Sequence, residues 1–182
     1  MAKINLTQRE LKKLVFYNPD TGVFTLLART PDMFSDGDGR FTKDSKCKSW
    51  NTRYAGNVAG CLDRHGHVYL RLNDTSFPAH RLAWLYVYGR LPKNDIDHID
   101  GNRSNNKIEN LREATRSQNL MNKKGNGRNL KGVSLHVCGR YVAQIGANKK
   151  HYYLGLFDTK EEAHAAYCKA AKKLHGKFAR LK

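Results

Sequence analysis

Two adjacent residues near the middle of the chain have the types and spacing of a hydrolytic centre. Asp97 and His98 close a short apolar-flanked run, and on a strand neighbouring side chains point to opposite faces. One of the pair can then ligate a metal while the other addresses a different atom of the same substrate. A turn-forming tract follows, Gly101-Asn102-Arg103-Ser104-Asn105-Asn106, then a second short run from Ile108 to Leu111. The segment opening Thr115-Arg116-Ser117 reads as a helix start, with Asn119 in its first turn and able to reach back toward Asp97. Strand, loop, strand, helix is the expected order. Carboxylate and amide oxygens are hard ligands suited to Mg²⁺ or Mn²⁺, ions that keep several waters and bind substrate phosphate. A neutral imidazole such as His98 is a general base close to its working pH. Metal, base and phosphate are together the parts of phosphodiester hydrolysis. Taken singly, these Asn, Asp and Gly residues predict only a polar hairpin.

The stretch resembles the HNH nuclease family on Asp97-His98-Ile99-Asp100-Gly101-Asn102, Asn105-Asn106, Asn110-Leu111, Ala114-Thr115 and Gln118-Asn119. The resemblance implies a ββα-metal finger with His98 as general base and Asp97 and Asn119 as metal ligands. It implies Asn110 as the residue bracing the loop that carries the base. The family normally has His at the position of Asn119; Asn there resembles the HNN branch found among phage homing endonucleases. The oxygen-rich donor set favours one divalent Mg²⁺ (or Mn²⁺). Some relatives staple the finger with two Cys pairs, which are absent here.

The elements that must position this stretch are read from the rest of the chain. The sequence has 182 residues, enough for one sizeable or two small domains, and a net charge of +17 from 33 Lys+Arg against 16 Asp+Glu. That excess points to a polyanion, double-stranded DNA, as partner. No apolar run approaches the roughly 18 residues that span a bilayer, and no signal-peptide pattern is expected, so no membrane partner is expected. Cys47, Cys61, Cys138 and Cys168 form no Cys-x-x-Cys pair, which argues against structural zinc and against a disulfide framework. Reduced thiols in a cytoplasm fit that pattern, a bacterial host cell if the chain is phage-encoded.

Thr7-Gln8-Arg9-Glu10 has capping-box spacing, and Leu11, Leu14 and Val15 follow at helical spacing. Pro19 to Gly22 reads as a turn and Val23 to Leu27 as a strand. Such an opening resembles the amino-terminal region of phage HNH proteins. Residues 28–55 have no clear period and read as a long basic loop, with Arg40, Lys43, Lys46, Lys48 and Arg53. Within it, Asp36-Gly37-Asp38-Gly39 lacks the later ligands of a calcium loop and reads as a turn. Val58 to Leu62, Val68 to Leu72 and Phe77 to Ala79 read as strands, with His65 and His67 as exposed turn histidines. His80 to Gly89 reads as a helix ending at Gly89, and its His-Arg-Leu-Ala-Trp opening also resembles the HNH subfamily. His80 is expected to hydrogen-bond within the scaffold or to contact DNA backbone; His98 remains the base because it has the metal-binding neighbour.

Asn122 to Asn129 reads as a flexible basic linker. Beyond it, Lys131 to Val137, Arg140 to Ile145 and Tyr152 to Phe157 read as strands. Thr159 caps a helix with Glu162 at the third position. Ala163, Ala166, Tyr167, Ala170, Ala171 and Leu174 form its apolar stripe. One sheet face stays free, and with 12 Lys/Arg against 3 Asp/Glu in residues 125–182 that face is expected to meet DNA.

This segment resembles the AP-two/ethylene-response-factor DNA-binding domain on Lys131-Gly132-Val133, Tyr141 to Ile145, Tyr153 to Thr159, Glu161-Glu162-Ala163, Ala166-Tyr167 and Leu174-His175-Gly176. The resemblance implies a sheet laid in the major groove. Candidate contacts are Lys131, Arg140, Gln144, Lys149, Lys150 and Tyr152, joined by Arg81, Arg103, Arg116, Lys123, Lys124 and Arg128 elsewhere. The family usually has Trp at Tyr141 and Arg at Ser134, departures that bear on base preference and not on fold.

The expected fold class is α+β: a ββα-metal (His-Me finger) nuclease domain plus a small three-stranded antiparallel sheet with one packed helix. The expected division is residues 1–79 as an amino-terminal helix and hairpin region, 80–121 as the nuclease core, 122–130 as linker and 131–182 as the AP-two-like domain. The expected function is a site-specific, metal-dependent DNA endonuclease of homing type. It would act as a monomer on DNA, nick one strand, and leave 5′-phosphate and 3′-hydroxyl ends. The alternatives are a non-catalytic DNA-binding regulator with a relic finger, and an RNA-directed protein whose exposed Tyr residues stack bases.

Overall fold

The computed structural model describes residues 6–36, 41–125 and 130–181. The described chain is a mixture of short helices and small antiparallel sheets, packed as two compact units, Met1–Arg112 and Glu113–Lys182. Gly37, Asp38, Gly39 and Arg40 of the expected basic loop, and Asn126 to Asn129 of the expected linker, including Arg128, lie outside the described residues.

The first unit opens with α1, Gln8–Leu14, closed at its start by the full capping box of Thr7 and Glu10. The helix stops at Leu14. Val15, assigned above to the helical stripe, instead begins β1, Val15–Asn18, whose Val15 and Tyr17 point into the core while Phe16 faces out. β2, Val23–Leu26, pairs with β1 in antiparallel register. Residues 28–55 are not one long loop: a 3₁₀ turn covers Pro31–Met33 and a twelve-residue helix, α2, covers Lys43–Tyr54. The helix carries no apolar stripe to announce it, because polar contacts hold it. The amide Nδ2 of Asn51 and the Cys47 thiol both donate to the Arg29 carbonyl, and the Arg29 guanidinium lies 4.1 Å from the Trp50 ring centre.

The run from Val58 to Leu62 divides at Gly60 into β3, Val58–Ala59, and β4, Cys61–Leu62, which belong to different sheets. Gly60 has φ +121°, and a Cβ there would stand 2.7 Å from Val68 Cγ1, so the crossing needs glycine. β5, Val68–Leu72, and β6, Thr75–Pro78, form a hairpin through Asn73 and Asp74, both at positive φ as a two-residue turn requires. α3, Ala79–Tyr88, starts one residue earlier than expected and ends at Gly89 in the left-handed conformation. Leu82, Ala83, Trp84 and Leu85 of α3 join Leu11, Tyr17, Phe24, Leu70 and Leu72 in the main core.

β7, Asp95–His98, and β8, Leu111–Ala114, form a two-stranded sheet. The second strand therefore starts where the expected run, Ile108 to Leu111, ends; Ile108–Asn110 is a 3₁₀ turn. In the second unit α4, Arg116–Met121, is capped by Thr115 and Gln118. β9, Val133–Leu135, β10, Tyr141–Ala147, and β11, Lys150–Phe157, make an antiparallel sheet of order β11-β10-β9. β9 is shorter, and β10 and β11 longer, than their apolar runs: Ala147 pairs with Lys150 across a two-residue turn of Asn148 and Lys149, both at positive φ. α5, Lys160–His175, opens with the expected capping box and buries Ala163, Tyr167, Ala171 and His175 against the sheet. All four cysteines are free thiols, and among the described residues no helix is long and apolar enough to cross a membrane.

Candidate active site

β7 delivers Asp97 and His98 side by side, and both are buried, at 4% and 5% exposure. A carboxylate in such a position needs a counter-charge. Arg112, on β8, supplies it: its Nε and Nη2 stand 2.8 and 2.7 Å from the same oxygen, Asp97 Oδ2.

The imidazole of His98 is held from the loop that follows it. Its Nε2 lies 3.2 Å from Asn106 Oδ1, while Asn106 Nδ2 donates to the Ser104 carbonyl at 3.2 Å. With the amide oriented by that second bond, Oδ1 is the acceptor facing the ring. The network thus assigns the proton of neutral His98 to Nε2 and the basic lone pair to Nδ1. Asn106 is itself fixed from the amino-terminal hairpin. The Tyr17 hydroxyl donates to the Asn106 carbonyl at 2.7 Å, and Ile108 N donates to the Pro19 carbonyl at 3.1 Å. Gly22 packs so close that a Cβ would be 2.5 Å from Asn106 C and Lys107 N.

Asn110 ties the loop shut. Its Oδ1 accepts from Asp100 N at 3.0 Å, and its Nδ2 donates to Asp100 Oδ1 at 3.0 Å and to the Asn105 carbonyl at 2.8 Å. Its own carbonyl accepts from Ile99 N at 2.9 Å. Asp100, with bonds from Asn102 N and Asn105 Nδ2 as well, has its carboxyl held below the usual range despite partial burial.

Around His98 stand two further imidazoles that composition did not single out. The ring centres of His80 and His67 lie 5.3 and 6.0 Å from that of His98, and 5.4 Å from each other. His67 is therefore no exposed turn residue, although its neighbour His65 is exposed. Among the described residues the Nδ1 atoms of His67 and His80 are buried without a hydrogen-bond partner. Burial, the largest cause in each case, lowers all three imidazoles from the ordinary value, His80 to about 3. At His98 the Asn106 bond and the carboxylates of Asp100 and Asp97 act in the opposite direction.

Of the remaining predicted residues, Arg103 is exposed and donates from Nη1 to the His65 carbonyl at 3.1 Å. Arg81 is half-buried on α3. In the second unit Asn119 sits half-buried on α4, its backbone N–H bonded to the Thr115 carbonyl. Arg116, Lys123 and Lys124 are exposed. Lys131 is engaged within the chain: its Nζ donates to the carbonyls of Met121 and Lys123, at 2.6 and 2.7 Å, closing the end of α4. Burial lowers its pKa. Arg140 is exposed but paired with Asp158 at 2.7 Å. Gln144, Lys149 and Lys150 are exposed. Tyr152, 37% exposed, stands opposite Ile145, on the side of the sheet that packs α5, whereas Tyr153 stands opposite Gln144 and is 68% exposed. Tyr153, not Tyr152, shares the free face with Gln144.

Among the described residues no group of three or more His, Cys, Asp or Glu is placed to hold a metal ion. The Asp97 carboxylate already carries a cationic partner, Arg112.

Residues 77–121 match the family model described as HNH endonuclease, a span that includes Asp97, His98, Asn110 and Asn119. Over 102 residues, 55% of this chain, it is 36% identical to an "uncharacterized HNH endonuclease" of Acanthamoeba polyphaga mimivirus. A stretch of 51 residues, 27% of the chain, is 51% identical to "APETALA2-like protein 2" of Oryza sativa, subspecies indica and japonica. The chain spans 54% of the viral protein and 12% of each rice protein. The segment built around the Asp-His pair thus has the pattern of an HNH endonuclease domain.

Proposed function

We propose that this chain is a divalent-metal-dependent DNA endonuclease of homing type that nicks one strand and leaves 5′-phosphate and 3′-hydroxyl ends. The observation that carries the reading is the buried Asp97-His98 pair, braced by Asn106 and Asn110, inside the segment that matches HNH endonucleases. Asp97 and Asn119 are the residues that would hold Mg²⁺ or Mn²⁺, both offering oxygen. When bound, the ion supplies charge stabilisation to the scissile phosphate and the leaving 3′ oxygen. His98 Nδ1 accepts a proton from the attacking water. Asn106 keeps the other ring nitrogen protonated and the ring aimed, and Asn110 fixes the loop that carries both. The neutral imidazoles of His67 and His80 line the back of the base and place no positive charge against the proton it receives.

The second unit supplies DNA affinity through the free face of its sheet, with Gln144 and Tyr153 at the centre and Lys149 and Lys150 at the hairpin tip. Its support is the exposure of those side chains and the 51-residue likeness to APETALA2-like proteins. The test is supercoiled plasmid with Mg²⁺. The chain should convert it to relaxed circles, chelator should stop the conversion, and His98→Ala should abolish it while DNA binding persists.

One observation favours a second reading, a DNA-binding regulator with a relic finger: the Asp97 carboxylate is already neutralised by Arg112. Intact supercoiled plasmid after incubation with Mg²⁺ or Mn²⁺ would select it.

A further inference from the structure

Arg112 presents an unusual arrangement for a residue beside a proposed metal ligand. Its side chain is 14% exposed and that of Asp97 5%, so the pair is withdrawn from solvent. Nε and Nη2 converge on one oxygen, Oδ2, at 2.8 and 2.7 Å. The two residues come from neighbouring strands, β7 and β8, so the contact is set by the sheet and not by a mobile loop. A buried carboxylate that loses the cation paired with it is strongly destabilising. A protein whose carboxylate waits for a metal therefore faces a problem before the metal arrives, and the guanidinium answers it.

We propose that Arg112 is the resident counter-cation of Asp97: it keeps the first unit folded without metal, and it holds divalent-ion affinity down. The inference rests on the assignment of Asp97 as a metal ligand in the proposed function. A dication arriving at Asp97 shares that carboxylate with a positive guanidinium a few ångströms away, and like charges at such range repel strongly in a partly desolvated site. Arg112 is thus a positioning residue, acting on the metal through Asp97.

The experiment uses the full chain with Arg112→Gln, Asp97→Asn and the double variant, read by thermal melting without metal and by Mn²⁺ titration without DNA. Arg112→Gln should lower the metal-free melting midpoint by on the order of 10 °C. The double variant, which removes both charges, should recover most of that loss. Arg112→Gln should also bind Mn²⁺ about tenfold or more tighter than the unaltered chain. If the double variant melts as low as Arg112→Gln, or fails to fold, Arg112 acts by packing and the counter-cation role is overturned. Should Arg112→Gln be unfolded without metal, a folded double variant supports the role. Equal or weaker Mn²⁺ binding by folded Arg112→Gln overturns the restraint on metal affinity. The underlying metal assignment fails separately, and visibly, if Asp97→Asn binds Mn²⁺ as well as the unaltered chain does.

Discussion

The Tyr17 hydroxyl and the backbone carbonyl of Asn106 lie 2.7 Å apart, although 89 residues separate them in the chain. Through that bond the amino-terminal hairpin reaches the loop whose Asn106 side chain holds His98. Tyr17 is buried, and its burial, the first cause, raises its pKa, so the hydroxyl stays protonated and able to donate. Tyr17→Phe leaves a buried carbonyl unpaired. It should cost about 1–2 kcal/mol in urea denaturation. It should slow plasmid nicking without changing DNA affinity; a nicking rate equal to that of the unaltered chain would separate the hairpin from the base.

Stability should fall in mild acid because of the three clustered imidazoles. In the folded chain they are held neutral, His80 with a value pushed down to about 3 from its ordinary 6.5. The unfolded chain binds more protons than the folded one below about pH 6.5, so folding weakens as pH drops through that value and regains full strength above it. His80 alone should lose about 2 kcal/mol between pH 7.5 and pH 5, on the scale of 1.36 kcal/mol per pH unit. His80→Leu should flatten this limb of the curve. Urea melts at the two pH values measure it, and an unchanged slope in the variant would point to another group.

Asn110 makes three side-chain hydrogen bonds inside one loop, to Asp100 N, Asp100 Oδ1 and the Asn105 carbonyl. Asn110→Ala strands buried partners at each end. A loss of about 2–3 kcal/mol is expected, with nicking reduced at least as far as by Tyr17→Phe. Hydrogen exchange at the Asp100 amide should accelerate, because that N–H loses its acceptor. Slow exchange there in the variant would show that Asn110 does not brace the loop.

These residues also show what could be read before folding. The segment 97–119 was legible because each part has a local reason: Thr115 and Gln118 satisfy each other as a capping box, and Gly101, at φ +72°, allows the turn after Asp100. α5 and its stripe were legible for the same reason, a 3.6-residue period with a cap. α2 was not, since Arg29, Cys47 and Asn51 hold it through polar contacts across about twenty residues that no period announces. Nor was the His67–His80–His98 cluster, whose members come from a turn, a helix start and a strand end. Arg112 was missed although it leaves a trace, an opposite charge on the strand that neighbours Asp97.

The free face of the C-terminal sheet gives the last test. The register places Tyr153 beside Gln144 and Tyr152 beside Ile145, because the bulge at Ala143/Gln144 fixes which residues of β11 turn outward. Tyr153→Ala should therefore weaken binding to duplex DNA several-fold, while Tyr152→Ala should leave it nearly unchanged. Lys131 separates charge from structure in the same assay. It spans two carbonyls at the end of α4, so Lys131→Met should lower stability by about 1–3 kcal/mol and leave the salt dependence of binding unaltered. Lys150→Gln, at the exposed hairpin tip, should reduce the salt slope by about one. Fluorescence anisotropy on a labelled duplex at several salt concentrations reads all four variants. Equal losses for Tyr152→Ala and Tyr153→Ala would mean that DNA does not meet this face.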